Sequence, residues 1–491
     1  MEFSQLYYVF WFLPCFFLFY YLVGKFGGLR GKNIVLLIFS LLFYAWGEPV
    51  YVLLMVYSTV LDYVCGRGIG KAAEAGNTRR KKFFLGVSLV GNLGLLAVFK
   101  YLDLFLRTLN LLPFLDLPLA GIALPIGISF YTFQTMSYSI DVYRGKVGVQ
   151  KNILDFATYV TMFPQLVAGP VVRYATVEKE LSCRKETVDD FAEGLRRFFI
   201  GLAKKVLIAN VMGSIADSLY NPAVSSSVAA RLSYLGVIGS WTLVLAYTMQ
   251  IYFDFSGYSD MAIGIGRMMG FRFLENFDYP YISRSITEFW RRWHISMSTF
   301  FRDYVYIPLG GNRCSRARWI FNILVVWFLT GLWHGAEWNF VLWGLYFAVL
   351  LLCERLFLGK LLAKLPVFNR VYTLFFIVYG WVIFRAGSVG EIFELTRALF
   401  GGYGIQGNGT TPAVTLLAQA GVGTIAILVV LVAIVASTPI LPRIKEKLKG
   451  KSPYVARIAA VVGDVALLGI FFLSIAELAI GSYNPFIYFK F

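Results

Sequence analysis

Long apolar runs separated by short polar or charged segments dominate the pattern along this chain. A run of about 20 apolar residues is long enough for a helix to cross a bilayer. The pattern predicts spans near residues 6–24, 33–47, 50–66, 83–100, 120–140, 195–218, 231–253, 319–335, 338–353, 371–386, 421–439 and 458–479. Because some of these are short or polar, we expect about eleven transmembrane helices in an all-α polytopic membrane protein.

Two of the apolar stretches, around 122–136 and 155–172, contain proline and glycine. Irregular backbone at membrane depth is tolerated only where protein surrounds it. These stretches therefore predict re-entrant or broken segments.

The composition supports a membrane protein. Hydrophobic residues make up 58% of the 491 residues, charged residues 15%, and the mean hydropathy is +0.67. Soluble domains have about 25% charged residues, so this chain lacks the charge to cover a water-facing surface. A soluble enzyme, a disordered protein and a nucleic-acid factor are excluded. The net charge of +17 comes from basic residues between apolar runs, as in cytoplasmic loops.

The basic residues also predict a topology. The cluster at 79–82 and the basic segment at 443–457 are expected on the cytoplasmic side. The loop at 401–421 has no charge and suits the outer face. Alternating sides from these anchors places Met1 outside. The tail at 480–491 is then extracytoplasmic as well, in a multi-pass protein of the cell membrane.

Segment 284–304 has a different pattern, with aromatic residues at helical spacing and arginines largely on the rest of the wheel. This pattern predicts an amphipathic helix at the membrane interface. Its arginines favour the cytoplasmic side. Arg291 and Arg292, together with Arg313, are candidates to hold phosphate groups through charge-assisted hydrogen bonds.

The chain has only two histidines, His294 and His334. His334 lies between two apolar runs whose outer flanks are basic, so we expect it deep in the bilayer. An ionisable group there indicates function, and imidazole acts as a general base near neutral pH. The alternative is a histidine satisfied by a carbonyl or by Glu337. His294 is either a partner in proton handling or an interfacial histidine packed among tryptophans.

Other polar groups give weaker signals. Asp254, Asp260, Glu275 and Asp278 are candidates for acid–base work or cation binding. The favoured interpretation is a structured loop in which they pair with Arg267, Arg272 and Arg284. The cysteines are scattered and the histidines are distant from each other, so no metal site is expected. The tail places Phe486 and Phe491 around Tyr488, which indicates either an aromatic interfacial belt or a segment that folds back and presents the phenol.

Several motifs resemble the membrane-bound O-acyltransferase family, in the bacterial branch that acetylates alginate or peptidoglycan. They are LPIGISFYTFQ at 124–134, SYSIDVYR at 137–144, FPQLVAGPVVR at 163–173, the block at 276–313 that contains EFWRRWHISMS, and LTGLWHGAEWNF at 329–340. The resemblance implies one membrane domain over 1–491, with a ring of tilted helices, re-entrant and interfacial helices and a central tunnel. It also implies that His334 is catalytic and that His294 is the second characteristic polar position. Gln134, in the first motif, is a candidate substrate-binding residue.

The tail also resembles this branch, whose F-x-Y-x-x-F ending corresponds to Phe486, Tyr488 and Phe491. The resemblance implies that Tyr488 transiently carries the acyl group. The predicted donor is acetyl-CoA, with no permanently bound cofactor. The predicted partners are the bilayer and an extracytoplasmic SGNH-type acetyltransferase, with no nucleic acid. Alternatives are D-alanyl or other acyl transfer from a carrier protein to teichoic acid, a transporter or flippase, and a scaffold for a polysaccharide synthase.

Overall fold

The computed structural model describes residues 2–167, 169–220, 227–407, 413–450, 452–481 and 483–487, apart from the side chains of 413, 414, 416, 445 and 449. Every regular element among them is helical, as predicted. The α-helices are Leu13–Gly47, Val52–Glu74, Thr78–Leu96, Leu102–Leu109, Ile128–Arg144, Ile153–Thr161, Phe163–Leu166, Tyr174–Cys183, Val188–Ala203, Asn210–Leu219, Val228–Met268, Ile286–Arg292, Ile295–Phe301, Arg316–His334, Trp338–Cys353, Gly359–Ala363, Phe368–Arg385, Val389–Leu399, Ala413–Gln419, Thr424–Ala436, Ile440–Lys449 and Pro453–Ala479. Shorter π-helical or 3-10 turns lie at Tyr8–Phe12, Ala97–Tyr101, Lys204–Ala209, Pro280–Ile282, Arg302–Tyr306 and Glu354–Leu358.

The chain divides into two compact units. The first comprises Met1–Phe198 with Tyr258–Glu275, and the second comprises Phe199–Gly257 with Asn276–Phe491. The helices Val188–Ala203 and Val228–Met268 contain residues of both units.

Seven helical segments among the described residues are long and apolar enough to span a membrane, against about eleven predicted. They are Tyr8–Gly47, Val52–Glu74, Thr78–Leu109, Val188–Leu219, Val228–Met268, Trp338–Ala363 and Pro453–Ala479, and the bent pair Thr424–Ala436 with Ile440–Leu448 makes an eighth if it is one span. The predicted spans at 319–335 and 371–386 form the helices Arg316–His334 and Phe368–Arg385, which are not among the seven because asparagine and arginine dilute their apolar residues.

The first of these segments turns back on itself at Gly28, whose φ is 58°. The Phe12 ring lies 5.7 Å and the Phe16 ring 5.5 Å from the ring of Phe39. In a straight helix, residues 12 and 39 would be about 40 Å apart, because each residue adds about 1.5 Å. The structure therefore contains two helical arms here, close to the predicted spans at 6–24 and 33–47.

The proline- and glycine-containing stretches are broken, as predicted. Residues 118–127 have no helix, and a bend at Met162 (φ −48°, ψ 108°) separates Ile153–Thr161 from Phe163–Leu166. Gly127 begins the Ile128–Arg144 helix with φ 76°, and a Cβ there would lie 2.7 Å from the Leu166 carbonyl oxygen. Two of the motifs are thus packed backbone against backbone within the first unit.

The prediction of one amphipathic helix at the membrane interface over 284–304 is wrong in two respects. The segment forms two short helices, Ile286–Arg292 and Ile295–Phe301, separated at Trp293 and His294. Its aromatic side chains are buried in the second unit and do not lie at an outer surface, since Phe289, Trp290, Trp293 and Phe300 are each at most 5% exposed. The helical spacing of these residues marks a face that packs against protein, and hydropathy alone does not distinguish such a face from one that contacts lipid.

Candidate active site

His334 ends the Arg316–His334 helix inside the second unit and is 6% exposed. Ser315 caps the start of this helix by accepting a hydrogen bond from the Arg318 amide. Gly335, in an extended conformation, ends it directly after the histidine. Gly344 on the next helix allows the two helices to approach, because a Cβ there would clash with the Trp327 carbonyl. His334 is thus fixed at the turn between two closely packed helices.

Aromatic rings surround the imidazole of His334. The ring centroids of Trp333 and Trp343 both lie 4.9 Å from it, and that of Phe384 lies 5.3 Å away. We call these three residues the aromatic cage. An apolar environment of this kind strengthens the electrostatic interactions within it.

His294 is fully buried and lies close to the cage. Its ring centroid is 6.5 Å from that of His334 and 5.6 Å from that of Trp333. Phe255 packs edge-on against the opposite side of the ring, with 4.7 Å between centroids. The structure therefore brings together the only two histidines of the chain, which are 40 residues apart in sequence.

Asn276 determines the hydrogen bonding of His294. The asparagine Oδ1 lies 3.1 Å from His294 Nδ1 and accepts hydrogen bonds from the Ser296 amide and hydroxyl. An acceptor at this distance assigns the proton of a neutral imidazole to Nδ1. Burial lowers the pKa of His294, which lies outside the seven candidate spans, to about 3. Nε2 then carries a lone pair, and no hydrogen-bond partner for it occurs among the described residues.

The backbone of His294 is strained. Its φ is 44°, in the left-handed region that few residues other than glycine adopt. The Asn276 carbonyl accepts a hydrogen bond from Ile295, and the Asn276 side chain binds Ser296, so the strained turn is held from both following residues. Strained backbone of this kind concentrates at functional sites.

A cavity of about 1130 Å³ lies within the second unit beside the aromatic cage. Trp290, Trp327 and Thr330 line it, and Thr330 precedes His334 by one helical turn. Trp290 packs on Trp343 of the cage at 5.5 Å between centroids. The cavity is also lined by four arginines, namely Arg284, Arg291, Arg302 and Arg355. Glu354 also lines it, and Thr330 is the lining residue nearest in sequence to His334.

The predicted substrate-binding residues have different positions. Arg291 lines the cavity, whereas Arg292 pairs with Asp278 at 2.9 Å and with Glu288 at 3.0 Å. Arg313 is exposed and is not among the residues that line the cavity. Gln134 is buried in the first unit, on the Ile128–Arg144 helix. The binding roles of all four residues stay predictions.

The carboxylates form ion pairs, in line with the structural interpretation, although their partners differ from those expected. Asp254 pairs with Lys205 at 2.8 Å, and Arg197 pairs with both Asp260 and Glu275. Asp254 and Asp260 lie on the Val228–Met268 helix rather than in a loop.

The first part of the predicted tail motif is buried. Phe486 is 4% exposed, and the following Ile487 is 3% exposed. This burial contradicts an interfacial belt for Phe486. Tyr488 and Phe491 lie outside the described residues.

Sequence reasoning missed several residues at this site. Trp343 and Phe384 are unremarkable within apolar runs, and only the fold brings them to His334. Asn276 opens the NFDYP stretch of a quoted motif but carries no chemistry of its own. Lys205 did give a signal, because a charge inside an apolar span is costly and indicates function.

Comparison with known proteins identifies a family. The model of the membrane-bound O-acyltransferase (MBOAT) family matches residues 96–389, which include both histidines and all the quoted motifs. A probable alginate O-acetylase of Pseudomonas aeruginosa is 45% identical over 82% of this chain and 75% of its own length. One of Azotobacter vinelandii is 38% identical over the full length of both chains. A peptidoglycan O-acetyltransferase of Helicobacter pylori is 33% identical over 81% of this chain and 80% of its own.

The family match covers more than half of the chain, and the relatives align over most of their own length. The paired histidines and the adjoining cavity lie within the matched residues. The chain therefore belongs to the membrane-bound O-acyltransferase family and is an O-acyltransferase of a bacterial type.

Proposed function

We propose that this enzyme takes an acetyl group from acetyl-CoA on the cytoplasmic side and passes it, through Tyr488, to an extracytoplasmic acetyltransferase that modifies a polysaccharide. The observation that carries the proposal is the cavity of about 1130 Å³, whose lining combines four arginines with Thr330, one turn before His334. The names of the relatives favour alginate as the polysaccharide, with peptidoglycan as the second choice.

The cavity suits the donor. Coenzyme A is a long molecule with a phosphate-rich nucleotide at one end and a thioester at the other. Arg284 and Arg291 are exposed and line the cavity, so they are available to phosphates, which arginine binds with charge-assisted hydrogen bonds. Trp290 and Trp327 offer apolar surface for the pantetheine arm. The thioester then approaches Thr330 and the cage around His334.

His334 acts as the general base in the proposed first step. It removes the phenolic proton of Tyr488 as the phenol oxygen attacks the thioester carbon. The carbon–sulfur bond breaks, the coenzyme A thiolate takes up the proton from the imidazolium, and acetyl-Tyr488 forms. Because a phenol has a pKa near 10, its ester remains activated towards an alcohol. The second step then passes the acetyl group to the extracytoplasmic SGNH-type partner.

His294 supports this step from its buried position. Its Nε2 lone pair accepts a hydrogen bond, and its Nδ1 proton is held by Asn276. A neutral imidazole 6.5 Å from that of His334 orients polar groups of the substrate without adding a second positive charge. We assign His294 to this orienting role.

The test is covalent labelling. Purified protein in nanodiscs is incubated with radiolabelled acetyl-CoA, and the C-terminal peptide is isolated by proteolysis and identified by mass. Wild-type protein acquires label on Tyr488, whereas His334→Ala and Tyr488→Phe do not. Label on the tail peptide of Tyr488→Phe would overturn the carrier role, and full labelling of His334→Ala would overturn the base role.

The same assay tests the donor. Acetyl-CoA is compared with an acetylated acyl carrier protein at equal concentration. We expect labelling with acetyl-CoA, because the exposed arginines of the cavity are proposed to bind the phosphates of a free nucleotide. If only the acetylated carrier protein gives label, the donor is the carrier protein and not acetyl-CoA. Acyl transfer from a carrier protein, the alternative, would then be favoured.

A further inference from the structure

The chain segment just before Tyr488 is held by a buried ion pair inside the second unit. Lys205 and Asp254 form this pair at 2.8 Å, with 2% and 0% exposure. Lys205 lies in the π-helical turn Lys204–Ala209, and Asp254 lies on the Val228–Met268 helix. A π-helical turn within a longer helix often marks a functional position.

Both members of the pair also bind the tail backbone. Lys205 donates a hydrogen bond to the Pro485 carbonyl and another, of 2.9 Å, to Asn210 Oδ1. The Ile487 amide donates to Asp254 Oδ2 at 2.8 Å. Lys205 thus donates two hydrogen bonds, to Pro485 and Asn210, and forms the ion pair with Asp254 Oδ1. Asp254 Oδ2 accepts from the tail. The tail supplies two of these contacts.

Further contacts fix the segment at its start. The Tyr483 hydroxyl donates to Asp217, which also pairs with Arg385 at 2.9 Å. Asn210 donates to Asn484 Oδ1 at 3.0 Å. Phe486, between Pro485 and Ile487, has its ring centroid 6.0 Å from Lys205 Nζ. Residues 483–487 therefore make contacts at all five positions.

The lack of a side chain at Gly213 leaves room for this docking. A Cβ at Gly213 would clash with the Gln250 amide and would lie 3.1 Å from the Tyr483 ring. The helix that carries Gly213 thus presents a flat surface on which the Tyr483 ring rests. The surface is part of the folded unit and is not formed by the tail itself.

Removal of the tail would leave the ion pair incomplete. A buried pair stabilises a protein only when its remaining hydrogen-bonding capacity is also satisfied. Without residues 485 and 487, one donor of Lys205 and one oxygen of Asp254 would be buried without these partners. Because it costs free energy to leave these buried groups without partners, the ion pair favours the docked tail.

The docking site is also linked to the candidate active site. Phe255 directly follows Asp254, and its ring packs against His294 at 4.7 Å. His294 in turn lies 6.5 Å from His334. Ile487 is thereby hydrogen-bonded to the helix whose Phe255 contacts His294.

We propose that Lys205 and Asp254 form a latch, which binds Pro485 and Ile487 and sets the register in which Tyr488 follows. The two are positioning residues, since they act through the tail. This inference rests on the proposed carrier role of Tyr488, whereas docking of 483–487 is a separate property.

The first test measures docking without any activity. Full-length protein in detergent is treated with carboxypeptidase Y, and the chain length is followed by intact mass. In wild-type protein we expect digestion to stop near Ile487. In Lys205→Met and Asp254→Asn, digestion continues through residue 483. Identical end points in wild-type and both variants would overturn the latch.

A matched pair controls for the loss of an ion pair as such. Arg197 and Asp260 form a pair at 2.8 Å within the first unit. Like the latch pair, it joins the helical segment Val188–Leu219 to the helix Val228–Met268. Arg197→Met and Asp260→Asn should keep the wild-type end point. Should a latch variant fail to fold, Tyr483→Phe removes one tail contact without touching the pair, and Asn210→Ala removes another together with one acceptor of Lys205. Because all these contacts together hold the tail, digestion past Ile487 should be faster than in wild-type for both variants, and wild-type digestion rates in both would overturn the docking.

The second test joins the latch to function. In the labelling assay, latch variants should acetylate the tail more slowly by on the order of a hundredfold, because misplacement by about 1 Å costs that much. Their KM for acetyl-CoA should stay at the wild-type value, since the donor cavity is untouched. If latch variants that are digested past Ile487 still acquire label at the wild-type rate, the positioning role is overturned. Absence of label on wild-type Tyr488 would overturn the carrier role alone, and the digestion result would stand.

Discussion

The imidazole rings of His294 and His334 lie 6.5 Å apart, centroid to centroid, inside the second unit of the chain. The two residues play different parts. Asn276 fixes His294 in one tautomer, whereas His334 ends its helix inside the aromatic cage. Two buried imidazoles at this separation are close enough to act on one substrate and far enough apart for a reacting group to lie between them.

Replacement of the histidines should affect acetyl transfer unequally. We expect His334→Ala to lower the rate of tail acetylation by about 10²–10⁴-fold, the usual contribution of a general base. His294→Gln should have a smaller effect, since glutamine keeps a hydrogen-bonding group. The double variant should be no slower than His334→Ala, because residues that act as a unit are not additive. A fully additive double variant would show that the two act independently.

The stability of the protein should depend on pH through His294. Burial lowers its pKa from 6.5 to about 3, so between these values the unfolded chain binds a proton that the folded chain does not. Stability is therefore fully present above pH 6.5 and falls as the pH decreases towards 3. The melting temperature of His294→Gln should fall less over this range than that of wild-type. His334 is also titratable and lies next to His294, so His334→Gln serves as the control for its contribution to the pH dependence. Equal pH dependence in wild-type and His294→Gln would contradict the prediction.

The sequence predicted the helical membrane class because that class follows from composition and run length alone. It also predicted two arms before and after Gly28, and broken segments at proline and glycine. The sequence could not predict that Trp293 and His294 interrupt a helix, since the αL turn depends on Asn276, 18 residues earlier. It identified both histidines but not the cage, because packing between helices depends on tertiary contacts.

A buried aspartate in the first unit should be important for stability. Asp62 is fully buried and accepts hydrogen bonds from Ser88 and Ser139 at 2.5 Å each, and from Asn92 at 2.6 Å. Asp62→Ala removes the acceptor for three donors on two neighbouring helices. Each bond to a charged group contributes about 1.5–3 kcal/mol, so a clear loss of stability is expected.

The measurement for Asp62 is the melting temperature of purified protein, followed by tryptophan fluorescence. Val60→Ala, at an exposed position on the same helix, is the matched control and should melt close to wild-type. A melting temperature of Asp62→Ala equal to that of Val60→Ala would show that the three donors find other acceptors.

The arginines of the cavity should determine donor affinity rather than chemistry. Arg284→Glu and Arg291→Glu place negative charge where coenzyme A phosphates are proposed to bind, so KM for acetyl-CoA should increase by at least about tenfold, because 1.4 kcal/mol corresponds to a factor of ten. The value of kcat should change little, since neither residue contacts the aromatic cage. Added salt should raise the wild-type KM by screening the same charges.

Arg313→Glu is the matched control, because this exposed arginine is not among the residues that line the cavity. An equal rise of KM in Arg313→Glu would indicate a general surface effect, and an unchanged KM in Arg284→Glu and Arg291→Glu would place the donor elsewhere.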